Sequence, residues 1–376
     1  MNTTKLKNVC VVVSGTTPKS TDERYWNGTH VWITPAELSE DSFIVTDSER
    51  HITDEAIKAT GLKSFPKGTV LLSSRAPIGK VAIAGCEMYC NQGFKNLICS
   101  ESIYNLYLYY FLKSKTAYLN SLGRGATFKE ISKGIVEDIS IPFPAYSEQI
   151  RIAKQLQKIS ELISLKKGQY RYFDDIIRSR FLEMFGHSDR PKVRLGECCI
   201  INPKKSSDIR LVDNDLMVSF VSMSDVSEDG QIVTCNHKQY ESVKSGFTYF
   251  SENDVLFAKI TPCMENGKGG IAKGLLNGIG FGSTEFHVLR PIDQVSNSCW
   301  LYELTSFPQF RQAAEINMTG SAGQRRVPAS FLANYKVSLP PISLQNQFAD
   351  FVHQLDKSKY RGRIFLRLLE DASHML

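Results

Sequence analysis

Two glycine-rich segments are the places where this chain could hold a phosphate group or a nucleotide. The segment Gly15-Thr16-Thr17-Pro18-Lys19-Ser20 has the approximate composition of a P-loop. It lacks the glycine that precedes the lysine in that motif, and Pro18 removes a backbone N–H that would cradle a phosphate. The run Gly278-Ile279-Gly280-Phe281-Gly282 leads into an expected strand at 285–289 and not into a helix, so we interpret it as a turn between strands. Neither segment predicts a nucleotide site.

Other catalytic sets are also missing from the sequence. An adenine methyltransferase needs an Asn/Asp-Pro-Pro-aromatic loop for a flipped base, and Asn202-Pro203-Lys204-Lys205 does not have that form. The seven histidines form no H-x-x-x-H pair, and no G-x-S-x-G sequence occurs. The nine cysteines include no C-x-x-C spacing, which favours buried reduced thiols over a zinc site. We therefore predict a non-catalytic binding protein with no metal or cofactor of its own.

The composition is that of a globular protein with two or more domains. The 376 residues are 42% hydrophobic and 22% charged. No apolar run of about 18 residues and no signal-peptide core occurs, so we expect a cytoplasmic protein without a membrane span. The net charge of +6 permits nucleic acid as a partner, but the basic residues form no arm. DNA binding would therefore depend on a local surface.

The sequence contains two copies of one unit. Ser140-Ile141-Pro142-Phe143-Pro144 resembles Ser338-Leu339-Pro340-Pro341-Ile342 at an offset of 198 residues, which also aligns Gly125 with Gly323, Ile139 with Val337 and Gln149 with Gln347. Residues 65–71 match 250–256, and Lys5-Leu6 matches Arg194-Leu195. The blocks follow the same order in both halves. Such a repeat predicts a pseudo-two-fold molecule, which suits two sites on a DNA duplex.

Each copy begins with a globular part, at residues 1–146 and 187–343. Short β-branched runs bounded by Gly, Pro, Asn and Asp predict strands at 9–13, 31–33, 69–73, 80–84 and 96–99. A helix with an aromatic-rich face is predicted over 103–119. The fold class is therefore mixed α/β, with a twisted sheet in each of two repeated domains, which we call the first domain (1–146) and the second domain (187–343).

Each copy ends in a long helix, predicted over 147–186 and 344–376. Apolar residues recur at alternating steps of four and three, which is a heptad pattern. In the first helix they are Ile152, Leu156, Ile159, Ile163, Tyr170, Phe173, Ile177 and Met184; in the second they include Phe348, Val352, Leu355, Leu366 and Leu369. About 39 residues of helix span roughly 58 Å. The simplest partner for each helix is the other one, as an antiparallel coiled coil; the alternative is that each helix packs only on its own domain.

Several motifs resemble those of the specificity subunits of type I restriction-modification systems. They include Trp32-Ile33-Thr34-Pro35-Ala36, Ser74-Arg75-Ala76-Pro77-Ile78-Gly79, Asn91-Gln92-Gly93-Phe94 and Gly125-Ala126-Thr127-Phe128-Lys129-Glu130-Ile131. The second half keeps Gly282-Ser283-Thr284-Glu285-Phe286 and Gly323-Gln324-Arg325-Arg326 but lacks the Trp-Ile-Thr-Pro-Ala and Asn-Gln-Gly-Phe patterns. Members of this family carry two target-recognition domains that differ from each other, so the departure fits the resemblance.

The resemblance implies a DNA reader without catalytic activity. Each domain would read half of a bipartite, asymmetric target, and the paired helices would set the distance between the halves. Two methyltransferase subunits would bind the chain, and they would bind AdoMet and methylate adenine. A translocating nuclease subunit would join for restriction. Two other interpretations stay open, namely a DNA-binding regulator that acts alone and a coiled-coil scaffold with no role on DNA.

We expect the DNA contacts to come from cations and amides in or beside glycine-rich loops, because arginine can pair with guanine, and asparagine or glutamine with adenine. In the first domain these residues are Lys19, Arg75, Lys80, Asn91, Gln92, Lys95, Arg124 and Lys129. In the second domain they are Lys204, Lys205, Lys259, Lys268, Gln324, Arg325 and Arg326. For each of them, a solvated surface charge is the alternative interpretation.

Overall fold

The computed structural model describes residues 2–75, 77–123, 129–186, 191–205, 208, 210–211, 215–228, 230–232, 236–321 and 323–375, and gives the backbone alone at 360, 361, 363, 364, 367 and 370–375. The chain divides into two compact units, Met1–Lys166 with Phe365–Leu376, and Lys167–Ile364. Both contain helices and several sheets, as the mixed α/β prediction requires. The boundaries of the two domains stay a prediction.

The first unit is built on a five-stranded sheet with the strand order Cys10–Val13, Asn96–Cys99, Val70–Leu72, Val81–Ala84 and Ile44–Val45. Trp26–Ile33 lies between His51–Ile52 and Tyr89–Cys90 in a smaller sheet, and Thr3–Lys5 pairs with Ser140–Pro142. The helices are Asp54–Thr60, Asn105–Ser114, Thr116–Leu122, Lys133–Glu137 and Tyr146–Phe185, the last of which continues into the second unit. All residues of the strands Val70–Leu72 and Val81–Ala84 are buried, which fixes the loops at their ends.

The helix predicted over 103–119 is two helices that meet at Lys115. Its second part turns toward the loop at residues 77–79, where the Asn120 amide donates to the Ile78 carbonyl at 2.9 Å and the Thr116 hydroxyl lies 3.3 Å from the Gly79 carbonyl. These tertiary hydrogen bonds favour the break over a continuous helix. The strand predictions agree with the structure to within a residue or two, except that the predicted 31–33 begins earlier, at Trp26.

The second unit contains two four-stranded sheets. One has the order Cys199–Ile201, Phe286–Pro291, Val255–Ala258 and Gly269–Ile271; the other has Asn236–Gln239, Met217–Val221, Ile279–Gly282 and Thr248–Ser251. Lys192–Arg194 pairs with Lys336–Ser338. The helices are Leu195–Cys198, Tyr240–Val243, Ser298–Ser306, Pro308–Ile316, Ala329–Asn334 and Ile342–Met375, whose last turns belong to the first unit.

The prediction of a turn at Gly278–Gly282 was wrong, because residues 279–282 form a buried strand. A Cβ at Gly280 would lie 2.0 Å from Cε2 of Phe250, whose ring is fully buried. A Cβ at Gly282 would lie 2.3 Å from the Val221 carbonyl oxygen. The glycines are therefore required by close packing within a sheet, and not by a turn.

The structure confirms the repeat but corrects its alignment by two residues. The side chain of Gln149 accepts from the Tyr104 N–H and donates to the carbonyls of Ser102 and Pro144. Gln345, and not Gln347, makes the corresponding three hydrogen bonds, to Asn297, Val295 and Pro340. The C-terminal blocks of the two copies are thus 196 residues apart and not 198. Each buried glutamine fastens a long helix to the domain that precedes it.

The long helices pair in antiparallel fashion within the second unit. Lys359 Nζ lies 2.5 Å from Asp174 Oδ1, while the Phe181 and Phe348 rings are 5.5 Å apart. A Cβ at Gly362 would lie 2.7 Å from the Tyr170 hydroxyl, so the glycine allows that ring to approach. All the positions nominated for helix pairing are buried or half-buried, and the pairing of each individual residue stays a prediction. They are Ile152, Leu156, Ile159, Ile163, Tyr170, Phe173, Ile177, Met184, Phe348, Val352, Leu355, Leu366 and Leu369.

Packing of each helix on its own domain also occurs. Ile152 and Leu156 belong to the core of the first domain, and Phe348 and Val352 join the core of the second. Both interpretations of the heptad pattern therefore apply, and Phe348 packs both on the first long helix and on its own domain. None of the helices in the described part of the chain combines the length and apolar character that crossing a membrane requires.

The two domains contact their own helices through different side chains. In the first unit, the Tyr110 hydroxyl lies near Ser160 of the long helix. The corresponding positions in the second unit hold Glu303 and Asp356, which line a cavity of about 790 Å³. Among the described residues, the Glu303 carboxylate has no hydrogen-bond or ion-pair partner. Burial raises its pKa to about 7, although Lys359 and Arg178 act in the opposite direction.

Candidate nucleic-acid interface

In the first domain, four loop segments meet at one site beside the ends of the central strands. The Ser74 N–H donates to the Gly93 carbonyl at 2.7 Å, and the Ile131 N–H donates to the Ser74 carbonyl at 3.0 Å. The Thr17 hydroxyl donates to Gln92 Oε1 at 2.7 Å, which joins the Gly15–Ser20 segment to the same site. The structure thus brings together loops that are up to about a hundred residues apart in the sequence.

A carboxylate that the sequence analysis did not nominate lies at the centre of this site. Glu130 Oε2 accepts from Arg75 Nε at 2.9 Å, and Glu130 Oε1 accepts from Lys95 Nζ at 3.1 Å. Burial alone would raise the pKa of Glu130, but the hydrogen bonds from Lys95 and Arg75 outweigh burial and lower the pKa. Glu130 therefore carries a negative charge at neutral pH, and the three side chains together carry one net positive charge.

Most of the other nominated residues of the first domain hold the loops in place. Lys80 donates to the carbonyls of Pro35 and Leu38. Asn91 Oδ1 accepts from the Gly93 N–H at 2.9 Å, and the Lys95 side chain is largely buried. Lys19 and Lys129 are exposed, whereas Arg124 lies outside the described residues. The exposed lysines are suited to phosphate contacts, because a flexible ammonium acts as a point charge.

The second domain repeats the backbone arrangement of this site with other side chains. The Lys259 N–H donates to the Glu285 carbonyl at 2.9 Å, and the Val327 N–H donates to the Lys259 carbonyl at 2.9 Å. Lys259 therefore occupies the place of Ser74. The bridge between Arg75 and Glu130 corresponds to one between Ile260 and Arg326. The acidic Glu130 of the first domain thus corresponds to the basic Arg326 of the second domain.

Arg326 is held firmly by protein acceptors. Its Nε and Nη2 contact Glu285 at 2.8 to 3.2 Å, and Nη1 donates to the Gln324 carbonyl at 3.1 Å. The hydrogen bonds from Arg326 lower the pKa of Glu285, although its partial burial acts in the opposite direction. Arg325 Nη2 lies 3.8 Å from both Glu265 and Glu315, so Arg325 is held less tightly.

Some of the remaining nominated residues of the second domain contact other protein groups, and others are exposed. Lys205 donates to the Lys244 carbonyl, and Lys268 donates to the Met223 carbonyl at 3.2 Å. Lys259 is half-buried, and Lys204 and Gln324 are exposed. The structure places Lys259, Gln324, Arg325 and Arg326 on neighbouring segments.

A buried histidine supports the second site, and the sequence analysis did not identify it. His287 Nε2 lies 2.8 Å from the Val327 carbonyl, which can only accept, so Nε2 carries the proton. The Asn202 amide then donates to Nδ1 at 3.0 Å. Burial lowers the pKa of His287, and Lys259 lowers it further. The ring is therefore neutral at physiological pH.

Comparison with known proteins identifies the family of this chain. The model of the type I restriction modification DNA specificity domain matches residues 1–171 and 188–361. The MjaIX specificity subunit of Methanocaldococcus jannaschii is 41% identical over 184 residues, which cover 48% of this chain and 42% of that protein. The EcoEI specificity subunit of Escherichia coli is 41% identical over 155 residues, which cover 40% and 25%. The matched segments thus span less than half of these relatives.

Solved structures show the same fold along the whole chain. The S subunit of the type I restriction-modification system from M. genitalium superposes with a TM-score of 0.53 at 13% identity, covering 100% of this chain and 94% of that one. A chain from a structural study of type I R-M complex assembly gives a TM-score of 0.54 at 16% identity, covering 100% and 95%. The two matches of the family model, over residues 1–171 and 188–361, show that the chain belongs to the family of type I restriction-modification specificity subunits.

Proposed function

We propose that this chain recognises a bipartite, asymmetric DNA target separated by an unspecified spacer. The first domain would read one half of the target and the second domain the other half. The observation that carries the proposal is that both domains use one backbone arrangement to present different side chains. The two domains keep the same backbone arrangement but carry different charges at corresponding positions. This suits domains that read different bases, since sequence is recognised through the hydrogen-bonding groups at base edges.

The nominated residues would divide into two classes on DNA. Lys19 and Lys129 would contact phosphates, which position the protein without reading sequence. Residues held by neighbouring groups, such as Arg75, would contact base edges. Because no basic arm exists, affinity would come from these local contacts, and it would decrease as salt concentration rises.

The paired helices would set the distance between the half-sites. The first helix has 40 residues and therefore a length of about 60 Å. Half-sites on one face of a duplex lie about one helical turn, roughly 34 Å, apart. A helix of this length is long enough to span that distance.

Two methyltransferase subunits would bind the chain, and a translocating nuclease subunit would join for restriction. Beside the buried heptad positions, the first long helix exposes apolar Leu162 and Leu165 within the first unit, and within the second unit it exposes an apolar stripe of Tyr172 and Ile176. Such a stripe suits a partner helix, and we assign it to a methyltransferase subunit because the chain belongs to the specificity family. The methyltransferase partners would bind AdoMet, flip the adenine out of the duplex and methylate N6.

Methylome sequencing tests this proposal. The chain is expressed with the methyltransferase of its own system in a host that lacks N6-methyladenine, beside a host that receives the methyltransferase alone. We expect N6-methyladenine in a split, asymmetric motif only when the chain is present. An identical methylation pattern in both hosts, with both proteins expressed, would contradict the proposal.

Domain exchange tests the division of labour. Residues 1–146 are replaced by the first domain of another specificity subunit, and the methylome is sequenced again. We expect one half of the motif to change and the other half to stay the same. A change in both halves, with normal expression of the hybrid, would show that the two domains do not read independently.

A further inference from the structure

Arg75 differs from the other nominated cations of the first domain in how it is held. Its backbone forms an antiparallel bridge with Glu130, and its Nε donates to the Glu130 carboxylate. Among the described residues, Nη1 and Nη2 have no partner, and 45% of the side chain is exposed. The guanidinium is therefore fixed at one edge and open at the other.

The open edge has the geometry that guanine requires. Guanine presents two acceptors, O6 and N7, in the major groove, and two parallel N–H groups of an arginine can pair with both. An arginine already oriented by a carboxylate loses less side-chain entropy when it binds, so its hydrogen bonds discriminate more strongly. The flexible lysines at positions 19 and 129 offer no such fixed pair of donors.

Glu130 can occupy this position on a DNA-binding surface because Lys95 offsets its charge. Without that ammonium group, the negative charge of Glu130 would repel the phosphates of the DNA. Lys95 approaches Glu130 from the interior, where its ammonium also contacts the Ser74 hydroxyl at 3.4 Å. The carboxylate thus orients Arg75 while the group as a whole remains positive.

The described residues of the second domain do not repeat this open edge. All three guanidinium nitrogens of Arg326 already contact protein acceptors, and the position corresponding to Arg75 holds Ile260. The two domains therefore differ in the group that they present at this place, as readers of different half-sites should.

From these contacts we infer that Arg75 reads a guanine in the half-site of the first domain, and that Glu130 is a positioning residue that acts through Arg75. The inference rests on the proposed function and names one residue of its recognition step. It predicts at least one G·C pair in that half-site.

The test compares methylomes of hosts that express the methyltransferase with the wild-type chain, with Arg75→Gln, with Glu130→Gln or with Lys19→Gln. Arg75→Gln should relax the requirement at one G·C position of the first half-site by roughly 5- to 150-fold and leave the second half-site unchanged. Glu130→Gln should relax the same position to a smaller extent. Lys19→Gln is the matched control for loss of one charge and should alter no base preference.

If a variant no longer supports methylation, the binding of the purified complex to DNA is measured instead. Duplexes in which each pair of the first half-site is changed in turn are titrated at one salt concentration. The inference predicts that Arg75→Gln loses discrimination at one G·C pair. Equal weakening on every duplex would overturn it, because that is the behaviour of a phosphate contact.

Failure of the inference is distinguishable from failure of the proposed function. If the wild-type chain gives a split motif and Arg75→Gln gives the same motif with the same base preferences, the assignment of Arg75 is wrong and the proposed function stands. If the wild-type chain gives no motif of its own, the proposed function fails first.

Discussion

Single side chains in this protein are held by partners far away in the sequence. Glu130 lies 55 residues from Arg75, and Glu285 lies 41 residues from Arg326. The cations can be predicted from the sequence because their chemistry fits DNA, but the carboxylates that orient them cannot. No short-range pattern links two loops that the sheet brings together. Only the repeat could have indicated that Glu130 and Arg326 occupy equivalent places.

At the residue scale, His287 should make the stability of the second unit depend on pH. Burial lowers its pKa, whereas a histidine in the unfolded chain titrates near ~6.5. Below that value the unfolded state binds the additional proton, so the free energy of unfolding should decrease as pH falls. A second proton on the ring would also face the Asn202 amide, which is a donor.

The prediction is measured as the difference between wild type and His287→Gln in urea unfolding from pH 8 to pH 5. The wild-type protein should lose more stability over this interval than the variant. His237→Gln, which removes an exposed histidine of the same domain, controls for the substitution. Equal losses in wild type and His287→Gln would show that the ring is not kept neutral by its surroundings.

Glu303 should have the opposite effect on stability in the same unit. Its folded pKa is raised to about 7, while an unfolded glutamate titrates near ~4.3, so the folded state binds more protons between these values. Stability contributed by the protonated form is therefore lost as pH rises through about 7. Glu303→Gln should raise the free energy of unfolding at pH 8 by on the order of 2 kcal/mol and have little effect near pH 4.5.

Thermal unfolding at the two pH values measures this effect. Glu241→Gln is the matched control, because Glu241 is exposed and its pair with Lys244 contributes little. If Glu303→Gln destabilises the protein at pH 8, then the carboxylate is an ionised and stabilising group, contrary to the environment described above.

At the scale of elements, the sequence predicted those segments whose own pattern is strong. The strand at Asn96–Cys99 has the predicted bounds, and the two long helices begin and end within two residues of their predicted limits. The strand at Ile279–Gly282 was missed because alternating glycines are typical of turns. Its place in a sheet is determined by Phe250 and Val221, which lie outside the segment.

The packing of that strand gives a prediction for Gly280. A methyl group there would overlap the buried Phe250 ring, and overpacking of a core costs about 1–3 kcal/mol. Gly280→Ala should therefore lower the free energy of unfolding by at least about 1 kcal/mol, measured by urea unfolding. Gly134→Ala is the control, since it adds a methyl group in a helix with no atom within 4 Å and should be neutral or stabilising. Wild-type stability of Gly280→Ala would show that the ring can move aside.

At the scale of the whole molecule, the two copies share their framework and differ in their surfaces. Gln149 and Gln345 make the same three hydrogen bonds, and each domain is closed by a pair of short strands. The contacts to the long helices differ, with Tyr110 and Ser160 in one copy and Glu303 and Asp356 in the other. The sequence predicted the repeat because the framework residues recur, but its ungapped alignment placed the second glutamine two residues too late.

The two pairs of short strands that close the domains have a consequence for genetic recombination. They are Thr3–Lys5 with Ser140–Pro142, and Lys192–Arg194 with Lys336–Ser338. Each pair consists of six residues, and we call it a clasp because it holds the two ends of a domain side by side. A long helix begins shortly after the second strand of each clasp. Genetic crossovers that fall within the two strands of a clasp would transfer a complete domain and leave the helices intact. Because backbone hydrogen bonds hold the clasp, the two parental sequences need little identity there. Hybrid genes of this kind should therefore encode folded chains, which under the proposed function would recognise new combinations of half-sites.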